Sequence, residues 1–197
     1  PGYEALDEDS VKAILDSVGK FAANVLQPLN HSGDAEGCSR SMNGTVTTPA
    51  GFKPAYDQWV EAGWPTLEAD PEYGGMGLPK VMATAVAEYV LSANQSFETY
   101  TGLTSAAVSA IDAAASQELK DAYLPRMVAG EWTGTMNLTE PHCGTDLGLL
   151  KTSAVPAGDG SYRITGNKIF ITGGYQDLTA NIIHLVLARL TDAPAGT

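Results

Sequence analysis

Met136-Asn137-Leu138-Thr139-Glu140-Pro141-His142-Cys143-Gly144-Thr145-Asp146 is the stretch on which the reading of this 197-residue chain turns. A strand-like run, Thr133 to Leu138, leads into Thr139. Pro141 and Gly144 then force a sharp loop, because one lacks an N–H and the other tolerates unusual backbone angles. Hydroxyls and free backbone N–H groups converge at Thr139, Gly144 and Thr145, which suits an anion or the edge of a heterocycle. Taken alone, an ordinary β-turn with a satisfied hydroxyl is the better account.

Downstream, Lys168-Ile169-Phe170-Ile171-Thr172-Gly173-Gly174 alternates like a strand and ends in a double-Gly turn. Alone it reads as a hairpin strand with one buried Phe. Thr152 to Val155, Tyr162 to Thr165 and Ile182 to Leu190 also have strand composition. Gly158-Asp159-Gly160 and Gly166-Asn167 supply residues that tolerate positive φ, a hairpin signal.

Upstream the character is helical. Between Ser10 and Leu29 the apolar residues Val11, Ile14, Leu15, Val18, Phe21, Ala22, Val25 and Leu26 recur at three- and four-residue steps, with Pro28 as the expected end. Residues 30–51 are rich in Gly, Ser, Asn and Thr and read as a long loop or insertion. Helices are expected over Lys53–Ala62 (closed by Gly63), Lys80–Ala93, Thr99–Ala115, and from the N-cap Ser116 to about Ala129 before Gly130. Residues 70–79 carry three glycines and two prolines and read as a loop. The fold class is therefore α+β. An N-terminal all-α domain (1–130) precedes the first half of an antiparallel β domain (131–197).

A net charge of -12 argues against nucleic acid and against anionic membrane surfaces as partners, since both need a basic face. It does not disfavour a phosphorylated small molecule held by backbone N–H groups. No apolar run approaches the roughly 18 residues needed to span a bilayer. With two cysteines, Cys38 and Cys143, a reduced cytoplasmic protein is the simpler reading than a disulfide framework. Without an initiator Met, and with ends at Pro1-Gly2-Tyr3-Glu4 and Ala195-Gly196-Thr197, the chain reads as an internal part of a longer protein.

Leu138-Thr139-Glu140-Pro141, Gly144-Thr145-Asp146, Gly166-Asn167-Lys168 and Ile171-Thr172-Gly173 together resemble the acyl-CoA dehydrogenase family in type, order and spacing. Pro71-Glu72-Tyr73-Gly74-Gly75 with Gly77-Leu78-Pro79, and Tyr123-Leu124-Pro125 with Gly130-Glu131-Trp132, are similar to the same family. The resemblance runs over nearly the whole chain and implies FAD as cofactor. Carried over position by position, it puts Leu138 and Thr139 at the pyrimidine side of the flavin, with Met136 nearby. It puts Gly144 and Thr145 at the pyrophosphate, Thr145 also beside the acyl-CoA, Phe170 on the ring, and Thr172 near the hydride-accepting nitrogen. At 145 the family usually has Ser, and at 170 often Trp, so an N–H donor is missing here. Thr99 to Ala106, with Thr99 and Gly102 in particular, are expected to border the acyl tail.

The activity so implied is α,β-dehydrogenation of an acyl-CoA. A Glu removes the α proton and the β hydride passes to the flavin. The resemblance places that Glu beyond Thr197, so no residue present is expected to be the base and the isolated chain is expected to be inactive. Glu140 is read as structural. The likeness leans to the larger bacterial branch and to 3-(methylthio)propanoyl-CoA dehydrogenases of dimethylsulfoniopropionate breakdown. Broad fatty acyl-CoA dehydrogenases, and acyl-CoA oxidases or flavin monooxygenases on the same fold, are the alternatives. An electron-transfer flavoprotein is the expected electron acceptor, and a homo-oligomer the expected assembly. A degenerate flavin- or acyl-CoA-binding module is disfavoured by the hydroxyls at Thr139, Thr145 and Thr172. His31, His142 and His184 with Cys38 and Cys143 lack metal-ligand spacing, so no metal is expected. The G-x-G-x-x-G and G-x-S-x-G patterns are absent.

Overall fold

The computed structural model describes Tyr3 and residues 6–194. Most of the two terminal stretches and everything past Pro194 lie outside the described residues, as does any base beyond Thr197.

The first helix, α1 (Glu8–Phe21), starts at Asp7, whose carboxylate accepts from the Ser10 amide at 2.8 Å. It does not stop at Pro28. A π-helical turn, Ala22–Leu26, carries it into α2 (Gln27–Glu36), so Pro28 falls in the first turn of a new helix. Proline is tolerated there because its fixed φ fits and its missing N–H costs little. This corrects two expectations: the helix outlasts Pro28, and the region from 30 onward is helical up to Glu36. A small hairpin comes next, β1 (Ser39–Arg40) antiparallel to β2 (Val46–Thr47).

Helix α3 (Phe52–Glu61) ends ahead of Gly63, which takes φ 78. Residues 70–79 are irregular apart from one 3-10 turn, Pro71–Tyr73, capped by Asp70. Helices α4 (Lys80–Ala93), α5 (Gln95–Ala114) and α6 (Gln117–Val128) come after it. Asn94 caps α5 through the Phe97 amide, so α5 starts four residues before the expected Thr99. Ser116 caps α6 as expected.

The second half holds β3 (Trp132–Asn137), β4 (Ser153–Pro156), β5 (Tyr162–Thr165), β6 (Asn181–Val186) and β7 (Arg189–Leu190). β4 and β5 form the expected antiparallel hairpin around Gly158-Asp159-Gly160. The other two ladders are parallel: β3 with β6, and β4 with β7. The chain between β3 and β6 is long enough for a crossover, which parallel pairing requires. Lys168 to Thr172 joins no ladder, and Gly166-Asn167 makes no hairpin.

The helical core joins Val18, Leu26, Phe52, Tyr56, Trp59, Trp64, Val86, Val90 and Phe97. Trp59 meets Phe97 edge-on at 6.2 Å between ring centres. Leu178, from the second half, is 2% exposed inside this same core. A second cluster packs Ala107, Ile111, Leu124, Met127 and Val128 against Trp132, Ile183 and Leu185. β3 lies hard against α5 here. A Cβ on Gly134 would fall 2.4 Å from the Ala107 Cβ, and the Gly134 amide donates to Thr104 Oγ1 at 3.1 Å. Among the described residues, no helix is long and apolar enough to cross a membrane.

Candidate functional site

Two loops, neither of them regular, meet beyond the end of β3. The first is a tight turn. The Glu140 amide donates to the Cys143 carbonyl at 2.8 Å and the Cys143 amide to the Glu140 carbonyl at 3.1 Å. The second is the run from Lys168. They are tied by Ile169 N donating to the Thr139 carbonyl at 3.0 Å.

Below the turn sits Glu140, 2% exposed. Its Oε2 accepts from the Lys151 amide at 2.8 Å and its Oε1 from the Thr152 amide at 2.9 Å and from Lys168 Nζ at 3.0 Å. Lys168 Nζ also donates to the Leu138 carbonyl at 2.8 Å. Burial pushes the carboxyl's pKa up, but donors from Thr152, Lys151 and Lys168 outweigh it and hold the group down at about 2. Glu140 is thus an anchor that stays ionised at neutral pH. Lys168, quoted in the sequence motif without a role, has one: it binds the two loops into one body.

The expected ligand residues divide by exposure. Met136 is 41% and Phe170 88% exposed, both large and apolar. Leu138 and Thr139 are half-buried, and Gly144, Thr145 and Thr172 are exposed. Gly144 lies against Thr139, where a Cβ would stand 3.2 Å from Thr139 Cγ2. The hydroxyls of Thr139, Thr145 and Thr172 take no hydrogen-bond partner among the described residues. Asp146 turns away to cap the 3-10 turn after it through the Gly148 amide at 3.1 Å. Read alone as a buried strand residue, Phe170 belongs to no strand and is not buried. It stands in the open with φ 56, the sole non-glycine with positive φ among the described residues. Such a backbone is costly for a bulky side chain. The unpartnered hydroxyls and open apolar faces fit a flat aromatic group with polar edges, which is the chemistry of a flavin.

On the helical side the two expected residues, Thr99 and Gly102, stand in different settings. Thr99 is half-buried on α5, its hydroxyl donating to the Ser96 carbonyl at 2.7 Å. Gly102 does line a cavity of about 580 Å³ between α4, α5 and α6, with Trp64, Glu98 and Ser105. The cavity wall does not include Thr99. Glu98 presses on Gly102, where a Cβ would fall 2.2 Å from Glu98 Oε1, and its burial raises its pKa. Ser105 Oγ donates to Glu68 Oε1 at 2.5 Å, and Lys80 holds the other oxygen at 2.9 Å.

One residue at the site carried no sequence signal. Tyr100 lies under the turn after Thr172, with its Cδ1 3.3 Å from where a Gly173 Cβ would stand, and its hydroxyl is 3.8 Å from Cys38 Sγ. The turn also brings ligand-type atoms of Glu140, His142 and Cys143 within 4.8 Å of one another. The carboxylate among them is already engaged by two amides and Lys168, and His142 Nε2 by the Leu149 carbonyl at 2.9 Å. His184 is exposed on β6 in this chain, with Nδ1 2.6 Å from Thr135 Oγ1.

Comparison with known proteins gives concordant results. The family described as acyl-CoA dehydrogenase, N-terminal domain, matches residues 8–131. A 3-methylmercaptopropionyl-CoA dehydrogenase of Ruegeria pomeroyi is 47% identical over 98% of this chain and 33% of its own length. A butyryl-CoA dehydrogenase of Syntrophomonas wolfei is 41% identical over 96% of this chain and 31% of its own. Among solved structures, an acyl-CoA dehydrogenase complexed with FAD from Bacillus anthracis superposes with TM-score 0.74 at 24% identity, covering 95% of this chain and 30% of that one. The chain thus spans about a third of the length of the curated relatives it matches, 33% and 31%.

Proposed function

This chain belongs to the acyl-CoA dehydrogenase family, and from that premise we propose that the full-length protein converts an acyl-CoA thioester to its 2-enoyl-CoA with FAD as the redox group. The observation that carries the reading is the open cradle: unpartnered hydroxyls of Thr139, Thr145 and Thr172 beside exposed Met136 and Phe170. Bound FAD would supply the hydride acceptor. Leu138, Thr139 and Met136 would hold its pyrimidine edge, Gly144 and Thr145 its pyrophosphate, Phe170 one ring face, and Thr172 the edge where hydride arrives. Thr145 would also touch the thioester, with Thr99 and Gly102 bordering the acyl tail. Glu140 is not the α-proton base. With a pKa of about 2, and buried behind two amides and Lys168, it has neither the proton affinity nor the access. The proton would go to a glutamate outside residues 1–197, and the isolated chain would be inactive.

The 3-(methylthio)propanoyl-CoA assignment rests on the 47%-identical relative, and the short-chain fatty acyl-CoA alternative on the 41%-identical one. Residues 1–130 are assigned to the helical domain and 131–197 to the flavin-holding β domain. Electrons would leave through an electron-transfer flavoprotein, from a cytoplasmic homo-oligomer. The test is anaerobic titration of the purified full-length flavoprotein with butanoyl-, octanoyl- and 3-(methylthio)propanoyl-CoA. Bleaching of the visible flavin band by 3-(methylthio)propanoyl-CoA at the lowest concentration supports the organosulfur reading. Strongest bleaching by butanoyl-CoA moves the enzyme to short fatty acids. No bleaching by any thioester rejects the reaction. Rapid oxygen consumption with peroxide release marks an oxidase instead.

A further inference from the structure

Resting on that reading, we propose that the hairpin β1–β2 is a clasp that positions Thr172, acting through Thr48, Asp177 and Tyr100. Thr48 comes directly after β2 and is 5% exposed. Its amide donates to Asp177 Oδ1 at 3.0 Å and its hydroxyl to the same oxygen at 2.7 Å. One carboxylate oxygen therefore holds both donors of a residue 129 positions away. Charge-assisted hydrogen bonds of this kind are the stronger sort and are directional.

Asp177 sits between two residues fixed elsewhere. Leu178 is sunk in the helical core. Gln176 is 8% exposed; its Nε2 donates to Thr133 Oγ1 at 2.8 Å, and its Oε1 accepts from the Leu178 amide. On the other side the chain climbs to Gly173, which takes φ 64 with the Tyr100 ring directly beneath it. Thr172 is the next residue. The segment bearing Thr172 is thus held at one end by Ile169 on Thr139 and at the other by Gln176, Asp177 and Leu178. Two residues of the helical half, Thr48 and Tyr100, stand on the far side of these contacts.

A turn of two glycines has no ladder to define it and samples many backbone states when free. Nothing else in the described residues pairs with Thr172 itself. The turn's own bond is the Gly174 amide to the Ile171 carbonyl at 3.3 Å, and the clasp fixes where that turn stands. Its effect on chemistry is indirect: Thr48, Tyr100 and Asp177 are positioning residues, and Thr172 is the group that would meet the flavin. Catalytic geometry tolerates displacements of only a fraction of an ångström, so a loosened turn reads out as slower chemistry more than weaker binding.

The experiment uses the full-length protein with Thr48→Val, Thr48→Ser and Asp177→Ala. Hydrogen–deuterium exchange is measured over residues 169–177, alongside the flavin absorption band and the kcat and KM for the best thioester. Thr48→Val and Asp177→Ala should raise exchange at Gly174, whose amide donates to the Ile171 carbonyl at 3.3 Å, at least fivefold, shift the flavin band, and lower kcat about tenfold with KM within twofold. Thr48→Ser, which keeps the hydroxyl, should behave as wild type. Wild-type exchange, spectrum and kcat in a folded Thr48→Val would overturn the clasp, as would loss confined to the melting temperature. A wild-type protein that retains no flavin would reject the function above, while the exchange measurement still decides whether the clasp orders the turn.

Discussion

Lys168 Nζ and Glu140 Oε1 lie 3.0 Å apart with both side chains nearly out of solvent, 10% and 1% exposed. Removing one member of a buried pair strands the other, typically at about 3–5 kcal/mol. Lys168→Met should therefore destabilise the full-length protein by about 3 kcal/mol or more in urea unfolding. Flavin should be lost at lower urea than the helices unfold, because Lys168 joins the two loops. A loss under about 1 kcal/mol with flavin retained would show that the pair does not hold the cradle.

Glu140 also sets an acid limit. Its folded pKa, about 2, lies below the ordinary 4.5, so its stabilising contribution is complete above 4.5 and fades as pH falls toward 2. The stability gap between wild type and Glu140→Gln should be constant from pH 7 to about 5 and shrink below that. A gap that stays flat down to pH 3 contradicts the assignment.

His184 moves the other way round neutrality. Desolvation disfavours its charged form, so its pKa lies below the ordinary 6.5 and the neutral ring is the stable partner of Thr135. The stability that goes with the neutral ring is present above 6.5 and lost as pH falls through the lowered folded value. An NMR titration of the ring protons should give a midpoint below 6.5, and a midpoint at or above 6.5 would reject the desolvation.

Phe170 separates ligand binding from folding. Its ring is 88% exposed, so Phe170→Ala should change stability by no more than about 0.5 kcal/mol. If the ring covers the flavin, the loss of an aromatic contact, about 0.5–1.5 kcal/mol, predicts two- to tenfold weaker flavin retention. Unchanged flavin affinity by equilibrium dialysis removes Phe170 from the cradle.

Gly134 tests the seam between α5 and β3. A methyl there meets the Ala107 Cβ at 2.4 Å and the Met127 Cε at 2.9 Å. Overpacking of this sort costs about 1–3 kcal/mol, so Gly134→Ala should lower the melting temperature, and Gly134→Ala with Ala107→Gly should recover part of the loss.

Features written in a few neighbouring residues were legible in advance. Gly63 after α3, Ser116 before α6, and the Gly158-Asp159-Gly160 turn are local signals, and the structure has each where expected. What misled was also local. Pro28 normally ends a helix, but a π turn resets the helix before it. Lys168 to Thr172 alternates like a strand, yet alternation says nothing about whether a partner strand exists, and here Ile169 finds only one carbonyl. Phe170 accordingly takes a backbone state that no pattern of side chains announces. The parallel ladders and the contacts of Thr48 with Asp177 and of Tyr100 with Gly173 join residues far apart in the chain. Only the folded arrangement reveals them.

The π turn at Ala22–Leu26 has one more implication. An α-helix advances about 100° per residue, so a turn that takes in one extra residue absorbs a length change without rotating the helix beyond it. Deleting one residue between Ala22 and Leu26 should restore ordinary winding and leave the direction of α2 unchanged. Gly33, which now leaves just enough room for the Phe52 ring, should still face it. In this helix, length and phase are separate variables, and sequences aligned across it should be compared by the direction their side chains face, not by residue count.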